Sequence, residues 1–288
     1  MFIPESELIL NSRGAVYHLN LLPQELAGVV ITVGDPERVE KISSRFDAVE
    51  VRTGHREFIT HTGRIGSKRV SVVSTGIGPD NIDIVLNELD ALVNIDLHNR
   101  TIKPELQSVQ IIRIGTSGSL QADVAVDSFV ASTHAIGLDN LLHYYPTTQS
   151  GDAGLLQAFV THTGLSGTKE PYVANGSVRL LKHFVAQFHQ GITVTCPGFY
   201  GPQGRVLRLG LRHPDVINQL TSFQFGAHRI TNFEMETSAI YGLCALLGHQ
   251  ALSLSAIVAN RVSQQFSADG ATLMNKLIDE ALTRIETL

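Results

Sequence analysis

The sequence predicts an α/β fold, a single domain in which helices flank a twisted, largely parallel central sheet. Three observations carry that expectation: short β-branched runs that are apolar at nearly every position, amphipathic helical patterns between them, and glycine-bearing turns closing three of the runs. Runs apolar throughout suit strands covered on both faces, and strands that alternate with helices imply parallel pairing, with ligands taken at the carboxyl ends of the strands. The runs are Val29–Val33, Val70–Ser74, Val109–Ile114, Asp127–Ala131, Ile192–Thr195 and Leu252–Val258. The clearest helix carries Ile82, Val85, Leu86, Leu89, Leu92 and Val93 on one face and Asp83, Asn87, Glu88 and Asp90 on the other, the period of a half-buried helix. Leu273, Met274, Leu277, Ile278, Ala281, Leu282 and Ile285 repeat that spacing and predict a closing amphipathic helix. The stretch 134–176, rich in Gly, Thr and His, shows no period and predicts an irregular, partly helical excursion. No Pro/Ser-rich linker, charge run or internal repeat divides the chain, so residues 1–288 are expected to form one domain, with 1–15 as an N-terminal extension.

Composition excludes several classes of function. The chain has 288 residues, with 22 Lys+Arg against 27 Asp+Glu and no basic block. Duplex binding needs clustered positive charge, so a nucleic acid is not an expected partner. The most apolar tract, 239–259, is interrupted by Gly248, His249, Gln250 and two serines, short of the roughly 20 apolar residues a bilayer span needs; a membrane is not an expected partner either. Cys196 and Cys244 lie far apart without a CxxC or a nearby His cluster, which indicates neither a disulfide framework nor a zinc site. The N-terminus has no basic segment followed by an apolar one, and a reduced, cytoplasmic setting fits best.

The candidate chemistry sits at the ends of the predicted strands. The first ends in Gly34-Asp35-Pro36-Glu37-Arg38, where Asp35 suits a helix cap and Pro36 the first turn. Free N–H groups of such a helix end, with Arg38 one turn in, make a phosphate site; the alternative is a plain turn with a surface arginine. Ser74-Thr75-Gly76-Ile77-Gly78 and Arg113-Ile114-Gly115-Thr116-Ser117-Gly118 are read as two further glycine turns on the same edge. Arg113 lies inside an apolar strand and requires an anionic partner, either a ligand or a structural carboxylate. No turn spells GxGxxG with an acidic residue about 20 positions on, and there is no GxxxxGK[ST].

From Val16 onward the chain resembles the nucleoside phosphorylase family of the purine and uridine phosphorylase type. The resemblance rests on Tyr17-His18-Leu19, Gly34-Asp35-Pro36-x-Arg38-Val39, His55-Arg56-Glu57-Phe58, Ser74-Thr75-Gly76-Ile77-Gly78, Arg113-Ile114-Gly115-Thr116, Phe199-Tyr200-x-x-Gln203-x-Arg205, Phe233-Glu234-Met235-Glu236 and Asn260-Arg261, eight short strings in order. It implies a phosphorylase/hydrolase-like fold and phosphate binding by Gly34, Arg38, Arg113 and Thr116, with Arg56 reaching in from a neighbouring subunit. It implies ribose binding by Met235, Glu236 and the neighbour's His18. Base binding falls to Phe199, Gln203, Arg205, Glu234, Val258 and Arg261, and catalysis to Arg113, Glu236, Arg205 and Gln203. Glu234 and Glu236 read alone are equally first-turn acids of a helix.

The implied reaction is reversible displacement of the base from a nucleoside by inorganic phosphate, a co-substrate, with no cofactor and no metal in the site. Purine-cleaving members carry an aspartate 23 residues beyond the ribose-binding glutamate; here that position is Ala259. With Gln203 and Arg205 matching the uracil-binding pair, the expectation is uridine, with deoxyuridine and thymidine as further substrates. The alternatives are a purine or broad-specificity phosphorylase, or a catalytically silent nucleoside-binding protein. The family implies a homo-oligomer, dimer or hexamer, with shared active sites. Some members hold potassium at a subunit interface through the glutamate matching Glu57, and Asn81 departs from the pattern there.

Overall fold

The computed structural model describes residues 2–146, 151–165, 170–184 and 186–288. In chain order these form β1 (Val29–Val33), α1 (Glu37–Ser43), β2 (Ala48–His55), β3 (Phe58–Ile65), β4 (Lys68–Ser74) and α2 (Pro79–Asn94). A two-residue ladder, β5 (Ile95–Asp96) with β6 (Thr101–Ile102), precedes β7 (Gln110–Ser119) and β8 (Phe129–Gly137). Then come α3 (Ala153–Thr163), β9 (Tyr172–Asn175), α4 (Val178–Phe184), β10 (His189–Thr195), α5 (Val216–Ser222), β11 (Gln224–Phe225) and β12 (His228–Glu234). The chain closes with α6 (Thr237–Leu247), β13 (Gln250–Asn260), β14 (Gln265–Phe266) and α7 (Gly270–Glu286).

Twelve strands form one sheet in the order β11-β12-β10-β8-β13-β7-β1-β4-β3-β2, with β9 on β8 and β14 on β13. An additional antiparallel pairing of Asn232 and Phe233 with Ser119 and Gly118 joins β12 back to β7, closing a ring of five strands. The sheet is parallel where it was expected to be, along β4-β1-β7-β13 and along β8-β10-β12. It is antiparallel at the β8–β13 seam and across β2-β3-β4. The β2–β3 hairpin turns on Arg56 and Glu57 alone, a connection too short for parallel pairing. β2 alternates exposed and half-buried residues, so a search for continuous apolar runs passes over it.

The core lies on both faces. Val30, Val73 and Ile111 pack with α2 and α6, through Ile82, Leu86, Leu89, Ala239, Ile240 and Leu243. Their strand neighbours Ile31, Val72, Ile112 and Ile114 face the other way, onto Val39 and Ile42 of α1 and Leu273, Leu277 and Ile278 of α7. Each such side chain withdrawn from water contributes about 1.5–3 kcal/mol. The tract 239–259 divides at Gly248, whose positive φ of 79° ends α6 and lets β13 begin two residues later.

Two expectations need correction. Within 134–176 the described residues are largely regular: β8 runs to Gly137, β9 pairs with it, and Asp152 caps α3 by accepting the Gly154 and Leu155 N–H groups; residues 147–150 and 166–169 lie outside the described residues. Gly115 to Gly118 is no turn, because β7 continues to Ser119 in register with β13.

Candidate active site

The carboxyl ends of β1 and β7, the end of β12 and the N-terminal ends of α1 and α6 surround a cavity of about 550 Å³. Gly34, Arg38, Arg113, Thr116, Phe199, Gln203, Arg205, Glu234, Met235, Glu236 and Val258 all line it, drawn from segments more than 200 residues apart in sequence. Arg56 and His18 are not among the described residues lining it, nor is Arg261, whose guanidinium reaches its wall at the Gln203 carbonyl and the Phe233 ring.

The charged floor is built first by topology. Arg113 sits on β7 at the same face as Ile111, toward α2 and α6, and is 6% exposed. Its Nη2 donates to Glu236 Oε2 at 2.6 Å and lies 3.1 Å from Glu234 Oε2. Burial alone would lower its pKa, but the Glu234 and Glu236 carboxylates outweigh that and hold it above the ordinary value. Thus Arg113 has the structural carboxylate partners and lines the cavity as well. The Glu236 carboxyl is pushed above the usual range by burial, against the pull of Arg113; its Oε1 accepts the Gly78 N–H at 2.9 Å. Gly78 supplies that N–H from a backbone at φ +104°, open in practice only to glycine.

Arg38, beside the Asp35 side chain that accepts the Glu37 N–H at 2.9 Å, donates to the Ile114 carbonyl at 3.3 Å. Burial lowers its pKa, Asp35 opposes that, and nearby Arg113 adds to it. Two guanidiniums forced together in a partly dry pocket, with Thr116 as the exposed residue of β7, form an anion site in which each would be relieved by a dianion.

The far end is aromatic and rich in donors. A short 3-10 turn, Gly201–Gln203, ends at Gly204 with φ +67° and buries Gln203 to 4% exposure. Arg205 Nη1 donates to Gln203 Oε1 and to the Phe199 carbonyl, each at 2.6 Å, and its guanidinium stacks 3.7 Å above the Phe199 ring. Burial lowers the pKa of Arg205, with Arg261 adding to it. Arg261 donates to the Gln203 and Gly204 carbonyls at 2.9 and 3.3 Å, so it braces the base loop from behind.

Glu234 is differently employed than its expected base contact. Its Oε1 accepts from Thr195 Oγ1 at 2.7 Å, and its Oε2 accepts the Glu236 N–H at 2.8 Å and the Thr237 N–H at 3.0 Å. It caps α6 and fixes the Glu236 backbone, leaving little acceptor capacity for a base. The helix-end acid reading thus holds for Glu234, whereas Glu236 turns to Arg113 and Gly78.

His18 and Arg56 lie outside the cavity lining. Glu88 of α2 accepts from His18 Nδ1 at 2.7 Å and from the His18 and Leu19 N–H groups at 2.9 and 2.8 Å, and the His18 ring meets Tyr17 and Phe58 edge-on. Arg56 is exposed at the hairpin tip with φ +56°. Beside it, Glu57 and Asn81 both approach Gly76. Among the described residues no group of three or more His, Cys, Asp or Glu side chains gathers as metal ligands.

Four lining residues, Ile77, Gly115, Phe233 and Ala259, stand in the sequence motifs without an assigned contact, and Phe266 lies outside them. Ile77 had a signal in its flanking glycines. Phe266 had none, because it reaches the mouth through the β13–β14 hairpin. Ala259 lines the cavity, so the position expected for a purine-directed carboxylate faces the ligand space with a methyl group.

The chain is similar to known nucleoside phosphorylases over most of its length. A family model described as "Phosphorylase superfamily" matches residues 28–283. A uridine phosphorylase of Thermococcus kodakarensis is 30% identical over 258 residues, 90% of this chain and 82% of its own. One from Escherichia coli is 30% identical over 264 residues, 88% of this chain and 89% of its own. A DeoD-type purine nucleoside phosphorylase of Streptococcus suis is 27% identical over 282 residues, 94% and 98% of the two chains. The crystal structure of a Trypanosoma brucei nucleoside phosphorylase, described as showing uridine phosphorylase activity, superposes with a TM-score of 0.89 at 31% identity, covering 98% of this chain and 100% of the other.

Proposed function

The chain belongs to the phosphorylase superfamily, and from that premise we propose that it is a uridine phosphorylase, a pentosyltransferase that converts uridine and phosphate reversibly into uracil and ribose 1-phosphate. The observation that carries this reading is that one cavity gathers two groupings, Arg38 and Arg113 beside Glu236, and Arg205 hydrogen-bonded to Gln203 and stacked on Phe199. The first suits phosphate and ribose, the second the base.

Phosphate, drawn by Arg38, Arg113, Thr116 and the Gly34 N–H, attacks the anomeric carbon as the glycosidic bond breaks. Positive charge develops on the sugar, as in other glycosyl transfers, between the phosphate and the Glu236 carboxylate, which also accepts from the ribose hydroxyls. The departing base takes the bonding pair, and its negative charge falls where Gln203 and Arg205 concentrate donors. With Gln203 Oε1 turned to Arg205, the amide nitrogen of Gln203 is the group presented to the base. Donors fixed before the reaction cost no reorganisation when charge appears. A methyl group at Ala259 offers no proton for a purine N7, which favours pyrimidines; 2′-deoxyuridine and thymidine are proposed as further substrates.

The reading requires no cofactor beyond phosphate as co-substrate. It further proposes a homo-oligomer, in which Arg56 and His18, outside their own chain's cavity, serve a neighbour's, and it treats the chain as one cytoplasmic domain. No helix among the described residues is long and apolar enough to cross a membrane.

The test is base release from uridine and inosine, each with and without inorganic phosphate. Uracil released only with phosphate, and inosine nearly inert, is the expected result. Release without phosphate would make the enzyme a hydrolase, preference for inosine a purine phosphorylase, and tight uridine binding without turnover a binding protein.

A further inference from the structure

Gly115 stands in the interior of β7, paired with Ser255 of β13. Glycine there weakens a strand by roughly 0.5–1 kcal/mol relative to alanine, so its presence calls for a local reason. Its backbone is not left-handed, and conformation does not require it. Space does: a Cβ on Gly115 would lie 2.6 Å from Arg113 Cζ and 2.8 Å from Nη2, and closer still to Nη1. Residues two apart on a strand share a face, so the Arg113 side chain doubles forward over its own strand and its guanidinium lies on the bare Cα of Gly115.

An arginine usually yields to a new methyl group by changing rotamer. This one is pinned. Nη2 is held by Glu236 and Glu234, and those carboxylates are fixed in turn by the Gly78 N–H and by Thr195 and Thr237. Nη1 is buried without a protein partner. A methyl group at residue 115 would push the planar guanidinium off the strand, away from its carboxylates and into the space assigned to phosphate.

We infer that Gly115 is a positioning residue, the seat that holds the Arg113 guanidinium at the height from which it serves both Glu236 and the anion. This rests on the reading of the cavity given above, and the experiment separates the two. The four proteins of a double-mutant cycle, wild type, Gly115→Ala, Arg113→Ala and the double variant, are compared in ligand-free thermal denaturation and, where active, in KM for phosphate and for uridine. With Arg113 present, Gly115→Ala lowers Tm by several degrees and raises KM for phosphate about tenfold or more, with a smaller change in KM for uridine. With Arg113 removed, the same alanine leaves Tm unchanged or raises it, because the guanidinium it struck is gone. A single variant that fails to fold while the double variant folds is the same reversal in extreme form. Equal loss of Tm in both backgrounds, failure of both to fold, or a wild-type phosphate KM in Gly115→Ala overturns the assignment. Absence of phosphate-dependent turnover in the wild type would overturn the proposed reaction instead, while the thermal cycle still decides what Gly115 supports.

Discussion

Replacing Arg113 with alanine exposes the energetics of the floor. The side chain is 8% exposed and its two partners are 3% and 6% exposed, so little solvent screening discounts the pair. Removing one member of such a pair costs about 3–5 kcal/mol, because the remaining carboxylates stay buried without a counter-charge. At roughly 2–4 °C per kcal/mol for chains approaching this size, Tm falls by roughly 6–20 °C at pH 8. The loss has a definite pH dependence. The Glu236 carboxyl is already raised by burial and lowered by Arg113; without the arginine it rises further. A group whose folded pKa exceeds its unfolded value binds an extra proton in the native state, so stability is fully present below the unfolded value, about 4.5, and is lost as pH rises through the folded value. The Tm deficit of Arg113→Ala is therefore largest at pH 8 and shrinks toward pH 5, where Glu236 takes a proton in place of the arginine. Circular dichroism melts of both proteins across that range measure it. A deficit of the same size at every pH, or one under about 2 °C at pH 8, would refute the coupling of Arg113 to Glu236.

Glu234→Ala strips acceptors from Thr195, Glu236 and Thr237 at once and should cost roughly 3–5 kcal/mol, read in urea unfolding, whereas Glu234→Gln retains much of that; equal behaviour of the two would mean the α6 cap contributes little. Arg205→Ala should lower kcat/KM for uridine about 10²–10³-fold, the usual loss for one oriented donor, while Tm moves by less than about 2 °C; a matching loss of Tm would make Arg205 structural. His134 meets His228 at 4.7 Å between ring centroids, and its pKa is lowered by burial, further by His228, against the pull of Asp152. The native state then binds fewer protons, so the stability it contributes is present above about 6.5 and lost as pH falls toward the lowered value. His134→Phe should flatten the stability profile between pH 7 and 5, and an unchanged profile would remove this pair from the account.

The sheet's central strands and both long helices were legible because their side chains face one environment along their whole length, which leaves a continuous or 3.6-residue pattern. The charged position in an otherwise uncharged β7 was legible for the same reason, since Arg113 breaks the apolar run and demands an anion. Local order also sufficed for Gly34, Gly76 and Gly78, where turn chemistry is a matter of neighbouring residues. Tertiary structure alone decided which anion meets Arg113 before any ligand arrives, since Glu236 lies 123 positions away and is brought there by the pairing of β12 with β7. It likewise decided that Glu234 caps a helix while Glu236, two residues on, faces the cavity, a division that depends on where β12 ends. And it alone explained Gly115, whose missing side chain makes room for an arginine two residues earlier: glycine in a sequence marks an absence, and only packing shows what fills it.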